Sequence, residues 1–320
     1  MRLSKYILCI LVQSFAGFQL IIADPLRVVS YNVENLFHPE HDTIVVDSVT
    51  MIEKDDWEWT PEGERHWSYT RYYRKVENIA RVLTNIGEWD GVDIVGLQEV
   101  ENAMCLNRLC YTLRPREYDF VHYESPDPRG IDVALVYKKE RIDTIKTAKI
   151  TPSPIHKEGK LITRDILYVK ALVDKKDTLH LFVCHLPSQR GGAAESEWKR
   201  NAVKTVLQAA VDSVYWTEKE PKIIIMGDFN GEPKEDLRGV KNRMKGLKGT
   251  HKYQGRWTCL DQFYTSPVLD SLSAVSIYDA QYIQEPDEKY LGLKPKRTYN
   301  GFQYRKDGYS DHLPVLLEIH

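Results

Sequence analysis

The chain has 320 residues, 42% hydrophobic and 11% aromatic, enough to bury a large core in one layered domain. Its formal net charge is −2; without the first segment, which carries Arg2 and Lys5, 42 basic residues face 46 acidic ones, a net of −4. That balance argues against a protein that grips nucleic acid through many phosphate contacts, although a local basic groove stays open.

Arg2 and Lys5 precede an apolar stretch at 6–22, and Ala23 suits the last residue before a cleavage site. Gln13, Ser14 and Gln19 interrupt the stretch and no stop-transfer charges follow, which favours a cleaved signal over a membrane anchor. The expected organisation is a signal peptide at 1–23 and one domain at 24–320. The expected destination is periplasmic or extracellular, with no membrane span after cleavage.

The mature chain opens with a strand at 26–31 (LRVVSY). Residues 38–70 form a long polar segment holding Trp57, Trp59 and Trp67, predicted to fold over one end of the domain. Val76, Ile79, Ala80, Leu83 and Ile86 fall at helical spacing within 71–86. Continuous apolar runs predict strands at 93–100, 118–123, 131–137, 167–173 and 179–185, with a turn-rich PDPRG at 126–130. A second long helix is predicted over 193–216, then strands at 222–227, 259–265 and 313–319. Strands in hairpin-like series with helices at intervals favour two packed β-sheets with helices outside over a doubly wound parallel sheet. Neither a Gly-rich dinucleotide fingerprint nor a GK[ST] phosphate loop occurs.

Of the five cysteines, Cys9 lies in the signal and Cys184 in an apolar run, where a buried thiol is expected. Cys105 and Cys110, five apart on a helix, would point to different faces, so no obligatory disulfide is expected.

Short polar motifs flank the apolar runs: SYNVEN (30–35), GLQE (96–99), CHL (184–186), GDFN (227–230) and SDH (310–312). Five such strand ends converging on one cleft have the chemistry of a divalent-metal phosphoesterase. Glu99 ends an apolar strand and suits a Mg²⁺ ion, which takes one or two carboxylates and keeps waters; alone it is equally an ordinary strand-end glutamate. Asn32 offers a neutral oxygen, or simply forms a turn. Asp228 and Asn230, at i and i+2 of an extended chain, face one side and would hold a water and a phosphate oxygen; a strand-terminating turn explains the pair equally well. His185 and His312 sit at strand ends, and Asp261 would fix the tautomer of a histidine for acid–base work. Arg190 in the SQRGG turn (188–192) adds charge to an anion-binding loop, or belongs to a flexible helix entry. Asp132 either lines the cleft or caps a turn, the structural role being favoured, and the Trp/Tyr-rich stretch at 57–73 reads more as core than as a stacking surface for bases or sugars.

Together these motifs, in this order over residues 26–319, resemble the endonuclease/exonuclease/phosphatase superfamily. The resemblance implies a four-layer α/β sandwich, with two packed mixed β-sheets flanked by helices. It implies a metal site at Asn32 and Glu99 with Asp311 as a second acid, Mg²⁺ or Mn²⁺ as cofactor, and hydrolysis of a phosphoester by in-line attack of water. By position, Asp228 matches the residue that orients or activates the water and Asn230 the one that contacts phosphate. His312, held by Asp261, and His185 match the family's two histidines. The expected activity is a phosphodiesterase with nucleic acid among its candidate substrates. The alternatives are a phosphomonoesterase or lipid or inositol phosphate phosphoesterase on the same scaffold, and a non-catalytic binding module, whose mark would be a lost polar group.

Overall fold

The computed structural model describes residues 24–45, 51–152, 155–156, 159–189, 192, 194, 196–233 and 236–320. The segment 1–23 expected as a signal and Arg190 lie outside them. Twelve strands make two six-stranded sheets. The principal elements are β1 (Leu26–Leu36), α1 (Tyr69–Gly87), β2 (Ile94–Val100), α2 (Ala103–Leu113), β3 (Tyr118–His122), β4 (Asp132–Lys138), β5 (Ile142–Ile150), β6 (Ile166–Val173), β7 (Asp177–His185), α3 (Glu197–Thr217), β8 (Lys222–Asp228), β9 (Lys241–Asn242), β10 (Asp261–Thr265), β11 (Ser273–Ile277) and β12 (Val315–Ile319). The first sheet has the order β11-β12-β1-β2-β4-β3 and the second β9-β10-β8-β7-β6-β5. Each holds one parallel pair at its centre, β1 with β2 and β7 with β8. Parallel neighbours need a crossover, supplied by α1 in the first sheet and α3 in the second.

The apolar runs are continuous because both faces of each central strand are buried. Val28 and Ile94 point between the sheets, towards Leu181, Val183, Ile224 and Met226. Their neighbours Val29, Tyr31 and Val95 point the other way, into a core under α1 and α2. In the second sheet Phe182, Cys184, Ile223 and Ile225 pack against Val203, Leu207 and Val211 of α3. The result is four layers, helix–sheet–sheet–helix. Each fully buried aliphatic or aromatic side chain contributes roughly 1.5–3 kcal/mol. The sheets approach closely at Gly96, where an added Cβ would lie 2.6 Å from Met226 Sδ.

Several sequence expectations change at their edges. The first strand runs on to Leu36, so Asn32 lies within it and not at its end. β5 and β11 went unpredicted; both are outer strands with largely exposed residues and weak apolar alternation. α2 starts at Asn102, whose Oδ1 accepts from Met104 N and Cys105 N at 3.0 and 3.1 Å, a cap worth about 1 kcal/mol. Within 38–70, Trp59 and Trp67 are core residues; Trp67 Nε1 donates to Phe37 O at 2.8 Å, fastening the segment to the end of β1. The thiols of Cys105, Cys110, Cys184 and Cys259 are buried and free. Among the described residues no helix is long and apolar enough to cross a membrane.

Candidate active site

The two parallel pairs decide where the site lies. Asn32, in the carboxyl half of β1, and Glu99, near the end of β2, face this site from one sheet, and His185 and Asp228, at the carboxyl ends of β7 and β8, from the other. His185 and Asp228 are direct register partners. Asn32 pairs with Gln98 and Leu36 with Val100, while on the other side Gln98 and Val100 pair with the consecutive Val133 and Asp132, so Glu99 is left unpaired in both ladders. Glu99 is therefore a bulge residue, with φ 66°, and the bulge re-aims its carboxylate out of the ladder. Glu34, Asn35 and Asn230 also have positive φ, at 54°, 57° and 46°. Non-glycine residues in this region cost stability and cluster where function constrains the backbone.

Asp228 is the hub. Its Oδ2 accepts from Asn32 Nδ2 at 3.1 Å and lies 3.7 Å from His185 Nε2 and 3.9 Å from His312 Nε2. Those longer gaps have the span that a shared water or substrate oxygen bridges. Its Oδ1 accepts from Asn230 N at 2.8 Å, while Asn230 Nδ2 donates to Leu186 O at 2.9 Å. This corrects the extended i, i+2 reading: the chain turns after Asp228, and an Asx-type hydrogen bond sets the pair. Gly227 allows the turn; at φ 141° an added Cβ would lie 1.9 Å from Cys184 O.

His312 Nδ1 pairs with Asp261 Oδ2 at 2.7 Å, with Asp261 fully buried. Ser310 Oγ donates to Asn32 O at 2.7 Å and accepts from His312 N at 3.1 Å, so the SDH motif is sewn to β1. The two histidines differ electrically. Burial works against protonating His312, but Asp261, Asp228 and Asp311 outweigh it and hold its proton affinity well above the ordinary value. Burial drives His185 well below, helped by Arg164, Arg129 and His312. Burial also raises Asp228 to about 7, against the pull of His312. Groups pushed apart in this way mark acid and base roles.

A charged cluster that sequence reasoning left unassigned completes the other side. Arg297 donates to Glu34 Oε1 at 3.2 Å and to Asp311 Oδ2 at 2.9 Å. Lys75, fully buried on α1, lies 3.9 Å from Glu34 Oε2 and donates to Thr298 Oγ1 and Tyr309 O. Burial lowers its proton affinity to about 8, although Glu34, Asp311 and Glu99 favour the charge. A lysine inside the apolar spacing of α1 was the available signal. Arg164 donates to the carbonyls of His185 and Leu186, both at 3.1 Å, and to Asp127 Oδ2 at 2.6 Å, bracing the turn after β7. His251 stacks near His312, 4.9 Å between ring centroids, and burial lowers it to about 4.

The donor set suits a hard divalent cation. Glu99 Oε2 accepts from Asn35 N at 2.9 Å, and its Oε1 stands 3.9 Å from His185 Nε2, leaving that oxygen for a ligand. Asp311 offers a second carboxylate, held by Arg297. Asn32 is more committed than its sequence position implied: Oδ1 accepts from Glu34 N at 3.0 Å, so only a second lone pair is open to an ion. The structure brings Asn32, His185, Asp228, Asn230, Asp261 and His312 into one connected set, with Glu99 and Asp311 at its margins.

Comparison with known proteins matches residues 27–320 to the Endonuclease/Exonuclease/phosphatase family. A search of curated protein sequences finds no match. Among solved structures, truncated TDP2 of Caenorhabditis elegans superposes with a TM-score of 0.58 at 17% identity, over 92% of this chain and 97% of that one. The Bacteroides thetaiotaomicron mannosyl-6-phosphatase gives 0.55 at 16%, over 92% and 99%. The human Nocturnin catalytic domain with bound sulfate gives 0.55 at 16%, over 93% of each. At these identities the superpositions establish the shared fold.

Proposed function

The chain belongs to the endonuclease/exonuclease/phosphatase family, and from that premise we propose that it is an exported, divalent-metal-dependent phosphoester hydrolase, with a phosphodiester as its first candidate substrate. The observation that carries the reading is the linked set Asn32–Asp228–His312–Asp261, in which a carboxylate poised near neutrality faces an imidazole that holds its proton.

In this reading Asp228 Oδ2 orients the attacking water and takes its proton, as a base with affinity near the working pH does best. Asn32 fixes that carboxylate, and Asn230 closes the turn beneath it. His312, kept protonated by Asp261, faces the charge that develops on phosphate oxygen or on the leaving group. His185 stays neutral and hydrogen-bonds without adding charge. Glu99 and Asp311 would hold Mg²⁺ or Mn²⁺, with Asn32 adjoining; the ion supplies Lewis-acid neutralisation of phosphate charge. Every motif position of the family resemblance is filled, which disfavours a non-catalytic binding module.

A phosphomonoester is the second reading. Two guanidinium groups reach the Glu34–Asn35 turn, Arg297 through Glu34 and Arg129 through Asn35 Oδ1 at 3.1 Å, and a terminal phosphate carries the extra charge to engage them. Export rests on the N-terminal segment alone and is tested by fractionating cells that express the full chain. Activity is tested with the purified mature chain in Mg²⁺, Mn²⁺ or EDTA, on duplex DNA, single-stranded RNA, a chromogenic phosphodiester, sugar phosphates, sphingomyelin and inositol phosphates. EDTA-sensitive cleavage of one class establishes the hydrolase and chooses its branch. Folded protein that cleaves none of them in either metal counts against the proposal.

A further inference from the structure

A second group of ligating side chains stands apart from the cleft set: His122, Glu124 and Asp132. β3 and β4 pair antiparallel with His122 opposite Ala134. Continuing that register sets Glu124 opposite Asp132, and two-residue alternation puts all three side chains on one face. One donor atom of each lies within 4.8 Å of the others.

Their hydrogen bonding is incomplete. His122 Nε2 and Asp132 Oδ2 are 3.4 Å apart on side chains only 4% and 3% exposed, and neither atom has a hydrogen-bond partner. Ser125 Oγ is buried in the same condition, and the buried Glu124 Oε2 has Lys54 Nζ as its ion-pair neighbour. Lys54 Nζ lies 3.2 Å from Glu124 Oε2, 3.1 Å from Asp42 Oδ2 and 3.9 Å from Glu101 Oε1, so its single charge is shared among three carboxylates. Asp132 keeps only the imidazole and one contact from Ser125 N, at 3.1 Å to Oδ1. Asp165 is a further carboxylate near it, with Lys149 Nζ 3.7 Å from its Oδ2. Buried polar atoms are normally hydrogen-bonded, and His122 Nε2 and Asp132 Oδ2 approach each other without a well-formed hydrogen bond.

The spacing has a physical reading. Two ligands each about 2.0–2.1 Å from a tetrahedral Zn²⁺ stand roughly 3.3–3.4 Å apart along the tetrahedron's edge, the separation found between His122 Nε2 and Asp132 Oδ2. One imidazole and two carboxylates neutralise a divalent ion and leave a fourth position for water. We propose that His122, Glu124 and Asp132 bind a Zn²⁺-class transition-metal ion at a site separate from the catalytic cleft. The ion ties the end of β3 to the start of β4 across the turn between them. From that turn Asp127 holds Arg164, and Arg129 reaches Asn35, so the ion steadies two supports of the cleft without touching it.

The test uses the mature chain, stripped with EDTA and dialysed, titrated calorimetrically with Zn²⁺, and its visible spectrum recorded with Co²⁺. Wild type and Glu99→Gln are expected to bind one Zn²⁺ equivalent that His122→Ala and Asp132→Asn bind at least tenfold more weakly. The Co²⁺ adduct of wild type and Glu99→Gln should show intense tetrahedral bands that those two variants lose. Should His122→Ala fail to fold, His122→Gln replaces it. Equal Zn²⁺ affinity in wild type and the His122 variant overturns the proposal. So does a folded wild-type chain that takes up no Zn²⁺, which would leave His122 and Asp132 as a simple imidazole–carboxylate contact.

Discussion

Replacing Asp261 with asparagine removes one charge from a buried pair while keeping its size. Asp261 is fully buried and its Oδ2 lies 2.7 Å from His312 Nδ1. At an effective dielectric of about 20, that separation corresponds to a gross attraction of roughly 6 kcal/mol. The cost of burying both groups opposes it, and neutralising one partner of such a pair costs about 3–5 kcal/mol net. The direction with pH follows from His312, whose folded proton affinity is raised despite burial, chiefly by Asp261. A raised value means that the stabilisation is complete below the ordinary histidine value of about 6.5 and is lost as pH rises through the folded value. The difference in unfolding midpoint between wild type and Asp261→Asn should thus be largest near pH 6 and shrink at alkaline pH. If His312 works protonated, the alkaline limb of kcat moves to lower pH in the variant, and kcat falls by about 10²–10⁴. The assay is a pH–rate profile on a cleaved phosphoester beside thermal unfolding at matched pH. An unmoved alkaline limb with kcat within tenfold of wild type would refute the reasoning.

Glu99→Gln should abolish metal-dependent turnover and barely move the unfolding midpoint, because an amide oxygen can still accept from Asn35 N; full activity at limiting Mg²⁺ would sink the ligand assignment. Gly227→Ala should destabilise by more than about 3 kcal/mol, since the new methyl overlaps Cys184 O at a φ that alanine avoids; denaturant unfolding within 1 kcal/mol of wild type, by the same scale, would contradict that geometry. Lys75→Met should cost about 1–3 kcal/mol, because Thr298 Oγ1 and Tyr309 O lose its ammonium and Glu34 keeps Arg297 as its cation, and Glu34→Gln in the same chain should recover part of it. No recovery in chemical unfolding would show that the two side chains do not act as a pair.

Much of the architecture was legible in the sequence. Central strands buried on both faces produce runs such as IVGL and KIIIMG, and helices buried on one face produce the spacing of Val76, Ile79 and Leu83. The outer strands β5 and β11 escaped because exposed edges carry mixed residues. The polar motifs were equally visible, since groups such as Glu99 and Asp228 interrupt apolar runs at strand ends.

Local sequence determines which strand each residue ends and which face it points from. It does not determine which strands become neighbours, and the site consists of contacts between distant strands. Asn32 meets Asp228 because two sheets stack with their parallel pairs aligned. The same packing buries Asp228 and His312 and raises the proton affinity of both, Asp228 chiefly through burial and His312 through the carboxylates around it. Glu34, Lys75, Arg297 and Arg164 were unassigned because an ion pair across 263 residues, as between Glu34 and Arg297, has no local signature. The unpaired face of His122 and Asp132 likewise exists only once β3 lies against β4. Side-chain periodicity is a property of one segment; desolvation and charge pairing belong to the packed whole, and only the tertiary structure decides them.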